Sequence, residues 1–521
     1  MSTETKASGV KSTATISVFT LAMMNVAAIV SLRGLPAEAE YGLASIFYYL
    51  FAAVFFLIPV SLAAAEMATA LPQKGGVFRW VGEAFGARAG FVAIFLQWLQ
   101  NTIWFPTVLT FAAVSIAYIG TNTASDTALA ANKFYTLAIV LAFYWGSTLL
   151  NFRGMKLSGA ISKWGTLIGT VIPAAILIVL GIAYYATGHT IYMPMQWDDM
   201  IPNLADPAKL SLAVSIFLFF AGMEASAVHV KEIENPEKNY PLGILISVLV
   251  TVVIFVFGTL ALGFVIPQKD INLTQSLLVG YRNLFAAFGL EWLSPIIAIC
   301  LALGVFSGVS TWIAGPSKGV LAVGKAGYLP PILQKVNKHG VQVNILYLQS
   351  ALVTVLSIVF VLLPSVQAAY QILSALTVTM YLIMYMLMFG AFLKLRISEP
   401  ELARPFKVPF GKVGMWFVGG VGLLGSFAAF IVGFIPPAQI VTGSNAEWVG
   451  ILILGNIIAV GMPVLFYACR KESWKDKDPE DAFEPFNWQL NDKSGTKPAA
   501  GSESIAGTAA KKLTVQPTAA K

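Results

Sequence analysis

The tetrapeptide Ala221-Gly222-Met223-Glu224 sets a glycine and a carboxylate within the apolar stretch that opens at Leu210. An ionisable side chain at mid-membrane depth costs at least about 2.5–3.5 kcal/mol on insertion scales, so it needs a partner or a task. The neighbouring glycine lets the backbone leave a helix, and the N–H and C=O groups so freed must line a cavity. Interrupted helices carrying polar groups at the midplane are how transporters build substrate sites. Two readings of Glu224 follow: a protonated or paired helix-packing carboxyl, or a gating group that holds a proton beside the substrate.

A second interruption is written into the first apolar segment. After Ile29-Val30-Ser31 come Leu32-Arg33-Gly34-Leu35-Pro36, a charge, a glycine and a proline. Either the helix ends there with Arg33 at the outer interface, or it breaks at Ile29-Val30-Ser31. In the second case an outer half-helix offers its free N–H groups and positive dipole end to an anion. Five spans separate the two interruptions, the correspondence expected of an inverted repeat with its site between the halves.

The elements that must position these residues are membrane helices. Of 521 residues, 57% are hydrophobic and only 11% charged, against about 25% charged in soluble domains. Mean hydropathy is +0.75. Twelve segments of about 20 apolar residues can each cross the hydrocarbon core. They are 16–32, 43–68, 86–118, 133–150, 160–186 and 210–229, then 241–266, 292–323, 343–363, 368–395, 414–435 and 446–469. With the N-terminus cytoplasmic, 28 of the 33 Lys and Arg residues fall on inner loops and tails and 4 on outer loops, Arg33 being the remaining one. The positive-inside rule therefore predicts both termini in the cytoplasm and a cytoplasmic (inner) membrane location. The net charge of +7 reports topology and implies no nucleic-acid partner.

Other chemistry is excluded or modest. Cys300 and Cys469 lie far apart in apolar runs, and there is no GxxxxGK[ST], HExxH or Cys/His pairing. Catalytic residues, metal sites and cofactors are accordingly not expected. Residues 1–17 lack a signal-peptide pattern, so the first span is expected to stay as an anchor. Gly304, Ser307, Gly308 and Thr311 read as close helix packing, with Trp312 as an alternative pocket wall. Tyr381 and Tyr385 share a helical face and are either satisfied core residues or residues of a transport path. Between spans two and three, Pro72-Gln73-Lys74-Gly75-Gly76 and the residues after it suit an interfacial helix. Glu66 is expected to cap a helix or pair with a basic residue, His229 to lie at an interface, and the tail from residue 471 to be disordered.

Three stretches carry a resemblance: FFAGMEASAVHVKEIENPEKNYPLG from Phe219, AAAEMATALPQKGGVFRWV from Ala63 and STWIAGPSKG from Ser310. Together they resemble the amino acid/polyamine/organocation transporter superfamily over residues 15–470, and most closely its glutamate/γ-aminobutyrate antiporter branch. The resemblance implies an all-α membrane protein with a LeuT-type core of two inverted five-helix repeats. These would be 16–190 and 191–396, after a tail of 1–15, and would be followed by two peripheral spans (397–470) and the tail 471–521. It implies discontinuous first and sixth helices, with Ile29, Val30, Ser31, Ala221, Gly222 and Trp312 at the substrate. Arg33, Glu224, Gly308, Tyr381 and Tyr385 would lie on the gating or transport path. The branch carries a glutamate where Gly308 stands and a tyrosine where Arg33 stands. Both departures raise the site's potential and favour a substrate with an extra carboxylate, or a neutral one, over a basic amino acid. Gly169 stands about where proton-coupled relatives place a lysine, which favours exchange over symport. The tail here has no histidines, so the acid-gating tail of those antiporters is not carried over. The expected function is amino acid antiport by alternating access, with a small-molecule substrate, a counter-substrate and the lipid bilayer as partners. A proton-coupled symporter and a membrane nutrient sensor are the alternatives. The sequence does not specify an oligomeric state.

Overall fold

Twenty residues of helix rise about 30 Å, the thickness of a bilayer's hydrocarbon core, and the apolar segments use that length. The computed structural model describes residues 16–73, 75–154, 164–202, 207–226, 233–441, 443–476 and 483–494. Among them the chain is all-helical apart from one isolated bridge, Ile16 to Ile233. Ten helices are long and apolar enough to cross a membrane, and one bent pair makes eleven. The bent pair is α1 (Val18–Ile29) and α2 (Leu32–Ala39). The single helices begin with α3 (Ala44–Ala70) and, after the short α4 (Val77–Phe85), continue with α5 (Ala87–Ala117), α6 (Lys133–Asn151) and α7 (Trp164–Ala186). The short α8 (Ser215–Phe220) is followed by α9 (Pro236–Val265). Then come α10 (Ser276–Ala287), too short to cross, and α11 (Ser294–Val323). The last are α12 (Val343–Leu362), α13 (Val366–Ser398), α14 (Gly411–Gly433) and α15 (Asn445–Ala468).

Local sequence explains many of the ends. Asn132 starts α6 by accepting the N–H groups of Phe134 and Tyr135, both at 3.0 Å. Ser444 and Glu447 form a reciprocal capping box at α15, which satisfies two N–H groups that a helix start otherwise leaves bare. Pro236 and Pro295 stand in the first turns of α9 and α11, where a missing N–H costs nothing.

Burial sorts the helices into centre and periphery. In its most apolar window α5 is 89% buried and α13 83%, against 33% for α14 and 22% for α15. α13 and α11 both pack along α5, so the middle of the molecule is built around α5.

Both expected interruptions are present as backbone features. α1 stops at Ile29; Val30 and Ser31 are extended, and α2 resumes at 41° to α1. Arg33 therefore belongs to the second half-helix and is buried within the protein. α8 stops at Phe220, Ala221 is extended and Gly222 takes φ +116°, a region that side chains disfavour. A short turn, Met223 to Ser226, follows, and His229 lies outside the described residues.

Two regions depart from the expectations or sharpen them. α4 was expected at an interface, yet Phe78, Arg79 and Trp80 are almost fully buried. Their cover is part of the tail expected to be disordered. Phe483 and Phe486 flank the Arg79 guanidinium at 5.8 and 5.2 Å, and Glu83 accepts the N–H of Asn487. These two aromatics supply apolar burial that the polar composition of the tail obscures. Glu66, at the end of α3, accepts Val408 N–H at 2.7 Å and lies 3.1 Å from both Arg396 Nε and Arg404 Nε. This pins the loop between α13 and α14.

Candidate functional site

The two interruptions meet. A Cβ placed on Gly222 would touch Trp312 at 3.5 Å and Ile29 at 3.7 Å, so the break after α8, the end of α1 and the middle of α11 converge at one point. Beside them lies a cavity of about 80 Å³. One water needs roughly 10–15 Å³ on this scale, so there is room for several waters or a small solute. Ile29, Val30, Ser31, Arg33, Ala221, Gly308, Trp312 and Tyr381 all line it. Gly222, Glu224 and Tyr385 stand behind the wall, outside the lining.

Glu224 is held from three sides. Gln97 Nε2 donates to Oε1 at 3.0 Å, Tyr381 donates to the same oxygen at 2.6 Å, and Tyr385 donates to Oε2 at 2.6 Å. Among the described residues no basic side chain pairs with it. Three directed donors replace the water that a buried carboxyl has lost. The hydroxyl of Tyr385 also accepts the Gly222 N–H at 2.9 Å. The i, i+4 spacing of the two tyrosines stacks their rings at 4.7 Å and presents both hydroxyls to the unwound segment.

Trp312 is fixed by a proline. Its carbonyl would bond the N–H of residue 316 in a regular helix, but residue 316 is proline and has none to give. Asn101 Nδ2 takes that role at 3.0 Å. α5 thus aligns Gln97, Gln100, Asn101 and Trp104 along the site, the first bonded to Glu224 and the other three lining the cavity. This polar stripe was missed by reading the span for hydropathy alone. Its spacing of three and four residues was the available signal.

The glycines in α11 divide in their roles. A Cβ at Gly169 would fall 2.2 Å from Gly304 Cα, so α7 and α11 touch backbone to backbone. A Cβ at Gly308 meets nothing within 4 Å, because it faces the cavity. Small residues thus serve packing at one position and space at the other.

Arg33 is 3% exposed. Its guanidinium lies 5.3 Å from the ring of Phe219 and 5.7 Å from those of Trp104 and Tyr370, and donates to Tyr370 Oη at 3.0 Å. Gly34 allows this arrangement, since any Cβ there would strike the Phe219 ring. Glu38 is a second buried carboxyl that sequence reasoning passed over as part of a loop. Ser215 donates to its Oε1 at 2.8 Å and its Oε2 has no partner. This bond ties α2 to α8.

Comparison with known proteins places this arrangement. The family described as amino acid permease matches residues 16–457. An uncharacterised transporter of Legionella pneumophila subsp. pneumophila is 42% identical over 87% of this chain and 96% of its own. A glutamate/gamma-aminobutyrate antiporter of Lactococcus lactis subsp. lactis is 33% identical over 87% and 90%. A probable agmatine/putrescine antiporter of the same subspecies is 25% identical over 71% and 77%. With its many apolar helices and a family match over most of its length, the chain is a multi-pass membrane transport protein and belongs to the amino acid permease family of the amino acid/polyamine/organocation superfamily.

Proposed function

We propose that this protein is a secondary active amino acid transporter, an antiporter of the glutamate/γ-aminobutyrate exchanger type that works by alternating access. One observation carries the reading: the backbone breaks at Val30–Ser31 and Ala221–Gly222 converge with Trp312 on a single internal cavity. Breaks of this kind expose amides and carbonyls suited to the carboxylate and amine of a zwitterion. In this reading Ile29, Val30, Ser31, Ala221 and Trp312 contact substrate, Gly222 supplies the break behind them, and Glu224 with its tyrosines couples the unwound segment to α13.

The same reading takes residues 16–190 and 191–396 as inverted repeats of five spans and 397–470 as two peripheral spans, twelve in all. The sixth span includes the short Ser211–Ser226 segment. Both termini lie in the cytoplasm and the chain sits in the cytoplasmic membrane. Exchange is favoured over symport because Gly169, against Gly304, has no space for a lysine. A proton-coupled symporter is the second reading, favoured by the buried carboxyl of Glu224 beside the break.

Counterflow from proteoliposomes tests this. Vesicles are loaded in turn with glutamate, neutral amino acids and amines, and labelled uptake is followed with and without a proton gradient. Uptake that requires internal substrate and survives collapse of the gradient is expected. Uptake driven only by the gradient would establish the symporter. No uptake with any amino acid would point to a sensor.

A further inference from the structure

A guanidinium stays charged in any protein environment and carries five N–H donors in a planar fork. Arg33 brings that fork into the cavity wall, and of the side chains lining the cavity it alone carries a fixed charge. Among the described residues no carboxylate forms an ion pair with it. Glu38, the nearest acid in sequence, is engaged by Ser215 instead. The protein supplies one hydrogen bond, from one terminal nitrogen to Tyr370, and leaves the buried Nε without a partner. The rings of Trp104, Phe219 and Tyr370 stabilise the charge through their faces, but faces do not consume N–H donors. Gly308, also in the lining, brings no side chain that could neutralise the site.

We propose that Arg33 is a specificity-determining anion receptor. It binds a second, ionised carboxylate on the substrate, so the favoured cargo is a dicarboxylic amino acid in its net monoanionic form. Two facts lead there. The one charged group in the cavity lining is a cation without an ion-pair partner among the described residues, and a zwitterion with one additional carboxylate supplies that partner. The planar fork also matches a carboxylate's two oxygens in paired hydrogen bonds, which neither an ammonium nor a carboxamide can reproduce. The substrate's α-carboxylate then remains for the amides at the start of α2, which a helix start leaves without intrahelical partners. This inference rests on the reading of the cavity as an amino acid site and adds the charge class of the amino acid.

The test compares L-glutamate with L-glutamine, and L-aspartate with L-asparagine, as competitors of labelled exchange in proteoliposomes. Within each pair the shape is kept and the charge removed. The native protein is expected to favour the acid at least tenfold in each pair it accepts. Arg33→Gln is expected to reduce that ratio below about threefold while the amide's own competition changes little. Tyr370→Phe, which frees the guanidinium from its one hydrogen bond, is expected to lower the ratio less and to serve if Arg33→Gln fails to fold. Equal competition by acid and amide in the native protein would overturn the proposal. So would an Arg33→Gln variant, or in its place Tyr370→Phe, that weakens acid and amide alike. A protein that exchanges no amino acid at all would instead overturn the underlying reading of the site, and this inference with it.

Discussion

The N–H of Gly222 donates to the hydroxyl of Tyr385 at 2.9 Å, while the same hydroxyl donates to Glu224 at 2.6 Å. One phenol therefore fills the amide that unwinding exposes and anchors the carboxyl two residues on. The Tyr381 hydroxyl bonds the carboxyl but not the Gly222 amide. Removing a partner from a buried polar group costs about 1–3 kcal/mol. Tyr385→Phe leaves two groups wanting and should lower thermal stability and exchange more than Tyr381→Phe. Melting in detergent and initial exchange rates of the two variants check the order.

Glu224→Gln keeps the shape but replaces one acceptor oxygen with an NH2. Three donors are aimed at the two carboxyl oxygens, so at least one faces another donor. Insertion should be unchanged and exchange should fall about tenfold, corresponding to roughly 1.4 kcal/mol on the transition state. Native rates with native pH dependence would remove Glu224 from the mechanism.

The two glycine environments give opposite outcomes for the same substitution. Gly169→Ala puts a methyl 2.2 Å from the Gly304 backbone, where side-chain adjustment cannot relieve it. Overpacking of this kind costs about 1–3 kcal/mol or more, and folded yield should drop. Gly308→Ala enters open space and should leave yield unchanged. Size-exclusion profiles of the two variants test the contrast.

At α4, a Cβ on Gly82 would lie 2.5 Å from the Phe486 ring, and Trp488 Nε1 donates to the Gly82 carbonyl at 3.1 Å. Gly82→Val should displace the tail without altering it. Exposing one fully buried Phe costs about 1.5–3 kcal/mol, and limited proteolysis should release the C-terminal peptide faster than from the native chain.

How far these features can be read from the residues depends on how each encodes its position. A helix such as α13 is apolar for most of its length, and expectation and structure differ at its ends by only two or three residues. A glycine within two residues of a charge marked both interruptions. Glu38 was hidden because α2 is short and carries acid and proline, the composition of a loop; only its burial against Ser215 distinguishes it. The polar stripe of α5 was hidden by averaging. In the tail, three aromatics within six positions, Phe483, Phe486 and Trp488, were the signal of a docked segment within a polar stretch. The twelve-span count depended on length, and the sixth segment is where length fails, since a break shortens its helices.

Asn487 caps onto Glu83 across 404 positions of chain. A ribosome completes every crossing helix before it makes the residues that roof α4. During translation the aromatic ring of Phe78 and the guanidinium of Arg79 await their cover, which is made only after α15. Early termination near residue 476 would yield a protein with its transport helices in place and an unfinished apolar patch, a feature that cellular quality control is equipped to detect.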